Sequence, residues 1–375
     1  MEIYTCRSKD SLYSIARRFN TEAAELARIN ELSSPQPLPE GLSLLIPGKS
    51  AQIRRSTQLF LFSSNRLCEG PVAEISPCLS AFVSDSGLIM PEGKLAPASF
   101  AQAKQLSSLA VLPILSVSNK SDTGFDSGCA NKLLQDSSRR SAFCDQAVEA
   151  LENGGFGALC LQLCYLREFD RDSLNLLLEE LCSRLHRQGK YLMFSAPAKL
   201  SDSDSSPACA GLDFEALGYF CDKVLLRCYD WAHGGTAPQS PAPLPLVRQG
   251  LEYALKFIPS WKLLLGISDH GYRWHLPWRQ GDGADAVSHR IAQATAISNA
   301  VPIRFDRLSQ TPFFSFDPSC SQRCIICYDD AASLKLKLEL IKEYDLAGAA
   351  LYSDSRPDFR LLYMMQEMFN PEKFM

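Results

Sequence analysis

The segment GGFGALCLQLCYL, residues 154–166, predicts a buried β-strand that is entered from a glycine turn. Side chains of a strand alternate between its two faces. One face would carry Leu159, Leu161 and Leu163, and the opposite face would carry Cys160, Gln162 and Cys164. The leucine face requires an apolar neighbour, whereas the second face directs small or polar, uncharged groups at one place.

Similar apolar runs recur along the chain. With 157–164 they make eight predicted strands, the others being 58–63, 78–83, 109–117, 191–196, 222–229, 262–268 and 347–352. Amphipathic helical patterns separate most of them, at 98–108, 140–153, 171–187, 244–257, 285–298 and 330–345. Alternating strands and helices in this number predict an α/β fold, a (β/α)8 barrel of the TIM type over residues 58–375. The interval 300–330 alternates and turns like antiparallel strands, which predicts a small β-rich insertion.

The first 48 residues predict a separate small unit. A short strand, IYTCRS, precedes two helices, LYSIARRF and EAAELARIN, and a proline-rich turn leads to a closing strand, LSLLIP. The order is therefore strand, helix, helix, strand within residues 1–48. Residues 49–57, KSAQIRRST, are polar and are predicted to be a linker.

Composition excludes several classes of partner. The chain has 375 residues, 46% hydrophobic and 21% charged, with a formal net charge of −4 and no run of basic residues. A nucleic-acid or anionic-membrane partner would require a basic patch, so we predict neither. The start of the chain lacks the pattern of a secretory signal peptide, so we expect synthesis in the cytoplasm.

The cysteines indicate buried thiols rather than a metal site. Most of the 14 lie in apolar runs, where a reduced cysteine behaves as a small hydrophobic residue. Cys324 and Cys327 form one CxxC pair, but a structural zinc site needs further ligands at suitable spacing. We therefore predict a strand with buried thiols there, and neither a metal nor a cofactor.

Residues 3–48 resemble the LysM module. The matching residues are Tyr4, Asp10, Ser11, Leu12, Ser14, Ile15, Ala16, Phe19, Thr21, Leu26, Asn30, Leu32, Gly41, Leu44, Ile46 and Pro47. LysM modules bind chains of N-acetylglucosamine, as in peptidoglycan and chitin. The resemblance implies a groove between two loops, with glycan contacts from Lys9, Asp10, Ser11, Leu12, Asn30, Glu31 and Leu32. The alternative is a LysM fold that has lost its ligand.

The rest of the chain resembles glycoside hydrolase family 18, in particular its LysM-linked branch associated with bacterial spore coats. The segments that carry this resemblance include GFDSGCANKLLQDSSRRSAFCDQAVEALENGGFGALCLQLCYL and VLLRCYDWAHGG. Family 18 enzymes cleave N-acetylglucosamine polymers by substrate assistance, an exception to the usual scheme with two catalytic carboxylates. One Asp orients the N-acetyl group, and a Glu two residues later protonates the leaving oxygen.

The catalytic motif D-x-x-D/N-x-D-x-E is degenerate in this chain. Gly157 stands for the first Asp, Cys160 for the second polar residue, Gln162 for the orienting Asp and Cys164 for the acid Glu. A thiol is a weak hydrogen-bond donor with a pKa near 8.5, so it cannot replace a carboxylic acid. We therefore expect no catalytic residue at these positions and a pseudoenzyme.

Other positions of the family cleft are retained in part. Tyr229 and Asp230 match the Tyr-Asp pair that contacts the N-acetyl group, and Tyr352 replaces the Trp under the sugar. Together with Gln162, Trp231 and Trp274, these residues are the predicted substrate-binding set. The alternative for Tyr229 and Asp230 is a pair that only hydrogen-bonds its neighbours. Arg227, where the family has an uncharged residue, indicates that the floor of the pocket has been rebuilt.

These observations predict a protein that binds peptidoglycan or another N-acetylglucosamine-containing glycan as an inactive family-18-like protein. The expected location is the spore coat, the cortex or the cell wall of a spore-forming bacterium, with other spore-coat proteins as further partners. Two alternatives stay open: an active glycosyl hydrolase of peptidoglycan or chitin-type glycan, and a coat scaffold that binds proteins.

Overall fold

The structure is a computed structural model that describes residues 1–32, 37–48, 54–63, 75–96, 103–121, 124–318, 322–353 and 357–374. Its strands are β1 (Glu2–Thr5), β2 (Ser43–Ile46), β3 (Arg55–Ser63), β4 (Ala81–Leu88), β5 (Leu112–Ser118), β6 (Lys120–Ser121), β7 (Gly124–Phe125), β8 (Ala158–Gln162), β9 (Tyr191–Pro197), β10 (Lys223–Arg227), β11 (Leu263–Ser268), β12 (His270–His275), β13 (Asp285–Ser288), β14 (Arg304–Asp306), β15 (Thr311–Phe316), β16 (Cys324–Cys327), β17 (Gly348–Tyr352) and β18 (Phe369–Pro371). Its α-helices are Leu12–Arg18, Ala23–Ile29, Ala103–Ser108, Ser127–Leu134, Ser137–Gly154, Arg171–Arg187, Phe214–Phe220, Leu244–Ala254, His289–Ser298, Ala331–Glu343 and Phe359–Met368. Among the described helices, none is long and apolar enough to cross a membrane.

Eight parallel strands form a closed barrel, which confirms the predicted fold class. Their order is β3, β4, β5, β8, β9, β10, β11 and β17, and β17 pairs with β3 to close the ring. Closure requires a glycine at position 348, because a Cβ there would lie 1.9 Å from the carbonyl oxygen of Gln58. β18 adds to the start of β3, where Phe369 faces Arg55. Arg55–Thr57, predicted as linker, therefore belong to β3, and residues 49–53 lie outside the described part of the chain.

The strand β8 has two differently buried faces. Leu159, Leu161 and Leu163 belong to the large apolar layer between the barrel and its helices. Cys160 lies inside the barrel in a separate apolar cluster that includes Phe60. The alternation read from the sequence therefore matches the structure, and it aims Gln162 at the carboxyl end of the barrel, where chemistry is located in this architecture.

The β-rich insertion is larger than the interval 300–330. A five-stranded antiparallel sheet has the order β13, β12, β16, β15, β14 and follows β11 directly. β12 and β13 lie before residue 300, and the helix predicted from 285 begins at His289 after Ser288 caps it. The sequence did not reveal these two strands, because β13 pairs with β12, and the other partner of β12, β16, lies about fifty residues further along the chain.

Three short helices were also missed in the sequence. They are Ser127–Leu134, Phe214–Phe220 and Phe359–Met368. Each follows an aspartate whose side chain accepts backbone N–H bonds of the first turn. These caps are a helix-start signal that the periodicity of so few residues could not supply.

The N-terminal unit has the predicted βααβ order and packs against the insertion. Its apolar residues form one cluster with residues of the insertion such as Phe314 and Tyr328. Hydrogen bonds join the units, among them one from Gln293 Nε2 to the carbonyl of Asn30 at 2.8 Å and one from the Ile303 N–H to the carbonyl of Glu40 at 2.8 Å. The two units therefore share a continuous apolar interface.

The twelve described cysteines are free thiols, and all except Cys182 are buried. Cys324 and Cys327 lie on β16 with buried side chains, as predicted. Cys182, also predicted to be an apolar filler, is partly exposed because it lies near the end of an outer helix.

Candidate functional site

A cavity of about 370 Å³ opens at the carboxyl end of the barrel. It is lined by Asp85, Lys120, Phe125, Gln162, Arg227, Tyr229, Asp230, Asp269, His270, Ala286, Ser288 and Tyr352. We call this cavity the cleft. Its walls come from the ends of barrel strands, from the β6–β7 hairpin and from the insertion, because parallel strands present their last residues at one rim.

Cys164 lies beside the cleft, two residues beyond the end of β8, in a rigid setting. Its backbone N–H donates to Asn119 Oδ1, and Asn119 Nδ2 donates to its carbonyl, both at 3.0 Å. The thiol is 1% exposed. Burial raises the pKa of Cys164, although the nearby Arg227 acts in the opposite direction. The thiol is therefore neutral at physiological pH.

Arg227, at the end of β10, covers this thiol. Its Nη2 donates to Cys164 Sγ at 2.8 Å, and its guanidinium lies 5.9 Å from the centre of the Phe125 ring. The buried Nε of Arg227 and the buried Oε1 of Gln162 have no hydrogen-bond partner in the described protein. Leaving such atoms unsatisfied costs roughly 1–3 kcal/mol each. The cleft therefore presents one unsatisfied donor and one unsatisfied acceptor.

Aromatic rings and a polar network form the opposite side. Tyr229 stacks on Tyr352 with ring centres 6.2 Å apart. Asp230 Oδ1 accepts a hydrogen bond from Tyr272 at 3.1 Å and lies 3.1 Å from His270 Nε2. Asp230 also has a left-handed backbone with φ of 66°, an uncommon conformation that Asp tolerates better than most residues. The network holds the Asp230 carboxylate in the cleft.

A second carboxyl group, Asp269, lies deeper in the cleft. It follows β11, it is 6% exposed, and it accepts a hydrogen bond from Ser353 Oγ. Burial raises the pKa of Asp269. The environment of this carboxyl group therefore favours its protonated form.

The domain content follows from two matches to family models. Residues 74–356 match the model of glycosyl hydrolases family 18, and residues 4–47 match the LysM domain. The chain belongs to glycosyl hydrolases family 18. Its LysM and family 18 domains together support a protein that binds or acts on carbohydrate.

Relatives of this family member include several proteins of Bacillus species. The sporulation-specific glycosylase YdhD of Bacillus subtilis is 25% identical over 353 residues, covering 92% of this chain and 82% of YdhD. The cortical fragment-lytic enzyme of Bacillus subtilis is 31% identical over 237 residues, covering 63% of this chain and 55% of that enzyme. The crystal structure of the Bacillus cereus spore cortex-lytic enzyme SleL superposes with a TM-score of 0.79 at 25% identity, covering 98% of this chain and 86% of SleL.

The structure gathers four of the predicted substrate-binding residues in the cleft: Gln162, Tyr229, Asp230 and Tyr352. Trp274 is a correction, because it is fully buried and its Nε1 donates to the carbonyl of Thr236 at 2.8 Å. Trp231 is not among the described side chains that line the cleft, and it packs against the layer outside the barrel. The buried Trp274 therefore supports a wall of the site, whereas a ligand contact at the partly exposed Trp231 stays a prediction.

The predicted LysM groove contains residues with structural roles. Asn30 is fully buried, and its side chain holds the module together through bonds to Leu26 and Leu45. Ser11 caps the first helix, and Leu12 is buried in the core. The buried side chains of Asn30 and Leu12 are therefore not presented to a glycan, whereas a glycan contact at the partly exposed Ser11 stays a prediction.

The remaining groove residues flank those structural side chains. Asp10 accepts hydrogen bonds from the Tyr4 hydroxyl and the Arg7 N–H, both at 2.7 Å. Lys9, Glu31 and Leu32 remain at least partly exposed. A glycan contact at these four positions stays a prediction.

Seven residues of the cleft were not predicted from the sequence: Asp85, Lys120, Phe125, Asp269, His270, Ala286 and Ser288. Asp269 and His270 directly follow β11, so the rule that barrel sites lie at strand ends could have found them. Lys120 and Phe125 lie on two-residue strands, which carry no periodicity that a sequence pattern reveals.

Proposed function

We propose that this protein binds peptidoglycan or a related N-acetylglucosamine-containing glycan and does not cleave it by the family 18 route. The observation that carries the proposal is the pairing of Cys164 with Arg227 at the position of the family's acid. A general acid needs a proton whose pKa lies near the working pH. A buried neutral thiol and a guanidinium that stays protonated in proteins both fail that requirement.

The loss of the orienting carboxylate supports the same proposal. In substrate-assisted cleavage the N-acetyl oxygen attacks the anomeric carbon and a positive charge develops on the resulting ring. Gln162 can accept a hydrogen bond from an amide N–H, but it carries no charge to stabilise that cation. The barrel would therefore retain recognition and lack both chemical functions.

The two unsatisfied atoms, one acceptor and one donor, complement an acetamido group in hydrogen-bonding character. The amide N–H of N-acetylglucosamine can donate to Gln162 Oε1, and its carbonyl can accept from Arg227 Nε. The stacked rings of Tyr229 and Tyr352 offer an apolar surface to a sugar face. These features support N-acetylhexosamine binding, with the LysM module as a second glycan-binding site.

Its relatives lead us to propose a place in the spore cortex, spore coat or cell wall of a spore-forming bacterium. Two relatives act, by their names, on cortex material or in sporulation. Other coat proteins remain proposed partners.

The decisive experiment measures hydrolysis and binding on the same full-length protein. Incubation with peptidoglycan and with N-acetylglucosamine oligomers should release no reducing ends above the buffer blank, while calorimetry detects binding of the oligomers. The triple variant Gln162→Asp, Cys164→Glu, Arg227→Met should gain activity, because it restores both carboxylates and removes the cation. Cys164→Glu alone should stay inactive, because Arg227 would hold the new carboxyl group ionised.

A second function, hydrolysis through a relocated acid, is favoured by the raised pKa of Asp269 in the cleft. If the wild-type protein releases reducing ends and Asp269→Asn abolishes that release while oligomer binding persists, the relocated acid replaces our proposal. Asp202→Asn, a change to a carboxylate that accepts from Tyr253 away from the cleft, is the matched control.

A further inference from the structure

Three groups on the outside of the barrel form a chain of contacts that the cleft does not use. Cys182 Sγ lies 3.6 Å from His186 Nδ1, one turn along the helix Arg171–Arg187. His186 Nε2 lies 2.9 Å from Asp222 Oδ2. We propose that Cys182 is a reactive thiol, activated by His186 and Asp222, that exchanges with disulfides of low molecular weight or on a partner protein.

The geometry assigns a role to each ring nitrogen of His186. Asp222 accepts a hydrogen bond from the protonated Nε2 of His186. In this tautomer Nδ1 carries a lone pair, which is directed at the thiol. Asp222 is itself held in place, because its Oδ2 accepts the Leu192 N–H at 2.8 Å. Enzymes activate weak nucleophiles with this arrangement, in which a base contacts the nucleophile and a third residue orients the base.

Accessibility separates Cys182 from the other described cysteines. It is the one thiol among the described residues that is not buried, and the side chain of His186 is 47% exposed. Burial and the charge of Asp222 raise the pKa of Cys182, whereas Lys262 lowers it. The thiol is therefore protonated at neutral pH and depends on a base for reaction.

The proposed exchange is balanced without a further reagent. His186 Nδ1 takes the thiol proton, and the Cys182 sulfur attacks one sulfur of the disulfide. The S–S bond of the reagent breaks, a new Cys182–S–S–R bond forms, and the leaving thiolate takes the proton back from His186. The reagent disulfide is the oxidant, and one of its halves leaves as the reduced thiol.

The test follows glutathionylation of the full-length protein by oxidised glutathione, with peptide mapping to locate each modified cysteine. Cys182 should react first, and Cys182→Ser should remove that modification. Mapping also reports Cys68 and Cys320, which lie outside the described residues. Glutathione on another cysteine at an equal rate would overturn the proposal.

The base is tested by rate and by pH. His186→Gln should slow the reaction at pH 7.5 by about 10-fold or more, and Asp222→Asn should slow it less. Arg187→Gln, the matched control on the same turn, should stay within about two-fold of the wild type. In the wild type the reaction should already proceed at neutral pH, whereas in His186→Gln it should become fast only in alkaline solution, where the thiol, whose pKa burial raises, ionises without a base. Equal rates and equal pH profiles in wild type and both variants would refute the role of the base.

Discussion

Replacing Arg227 by Met should make the barrel more stable and its ligand binding weaker. The guanidinium lies in the barrel mouth, its Nη2 donates a hydrogen bond to the Cys164 thiol, and its buried Nε has no partner in the described protein. An unsatisfied buried polar atom costs about 1–3 kcal/mol. A methionine of similar length removes that cost and packs against the Phe125 ring, so the free energy of unfolding should rise by about 1–3 kcal/mol.

Binding should change in the opposite direction. A hydrogen bond from a charged donor contributes about 1.5–3 kcal/mol, so the loss of Arg227 should weaken binding in the cleft by about 10- to 150-fold. The LysM module is unchanged in this variant and provides an internal reference for the second class of sites. A gain in stability combined with a loss of affinity is the signature of a residue kept for binding.

The assay pairs urea unfolding, followed by tryptophan fluorescence, with calorimetric titration of N-acetylglucosamine oligomers. Arg167→Met is the matched control, because the Arg167 guanidinium also lies over a ring, 5.6 Å from the centre of Phe169, but on the exposed surface. That variant should leave both quantities nearly unchanged. An Arg227→Met protein that is less stable and binds the oligomers as tightly as wild type would refute the reasoning.

Three further predictions concern the residues that hold the two units and the cleft walls. Burial alone would raise the pKa of Asp358, but the charge of Arg360 lowers it below the usual range. The Asp358 carboxylate therefore stabilises the fold above its unfolded-state pKa near 3.9, and this contribution is lost as the pH falls below that value. Asp358→Asn should lower the free energy of unfolding at pH 7 by about 3–5 kcal/mol. In circular dichroism melts the variant should lose less stability than the wild type between pH 5 and 2. Asn30→Ala should lower the free energy of unfolding by about 1–3 kcal/mol, because the N–H of Leu45 loses its buried acceptor at 2.7 Å, and urea unfolding measures this loss. Trp274→Phe should leave oligomer affinity within about two-fold of the wild type, because a fully buried ring makes no ligand contact. The variant should lower the free energy of unfolding by about 1 kcal/mol, because the indole hydrogen bond is lost. A large loss of calorimetric affinity in a folded variant would contradict this.

Much of the fold could be predicted because its signals are local. The period-two alternation of residues 157–164 depends only on neighbouring residues, and the count of eight strands with intervening helices predicted the barrel. The degeneracy of the motif depends instead on the family resemblance, which aligns Gln162 and Cys164 with the two carboxylates, and it stays a prediction.

Only the tertiary structure decided what surrounds those residues. Arg227 is 63 residues from Cys164 in sequence and reaches its thiol because the β8, β9 and β10 strands are adjacent in a closed parallel ring. The aromatic residue Trp274 looked like a ligand contact, and it is buried because β12 pairs with β16, a partner far along the chain. The sequence by itself determined the eight barrel strands and the two faces of β8, because these depend on neighbouring residues. The composition of the cleft depends on ring closure and on the long-range pairing of the insertion, which no local pattern encodes.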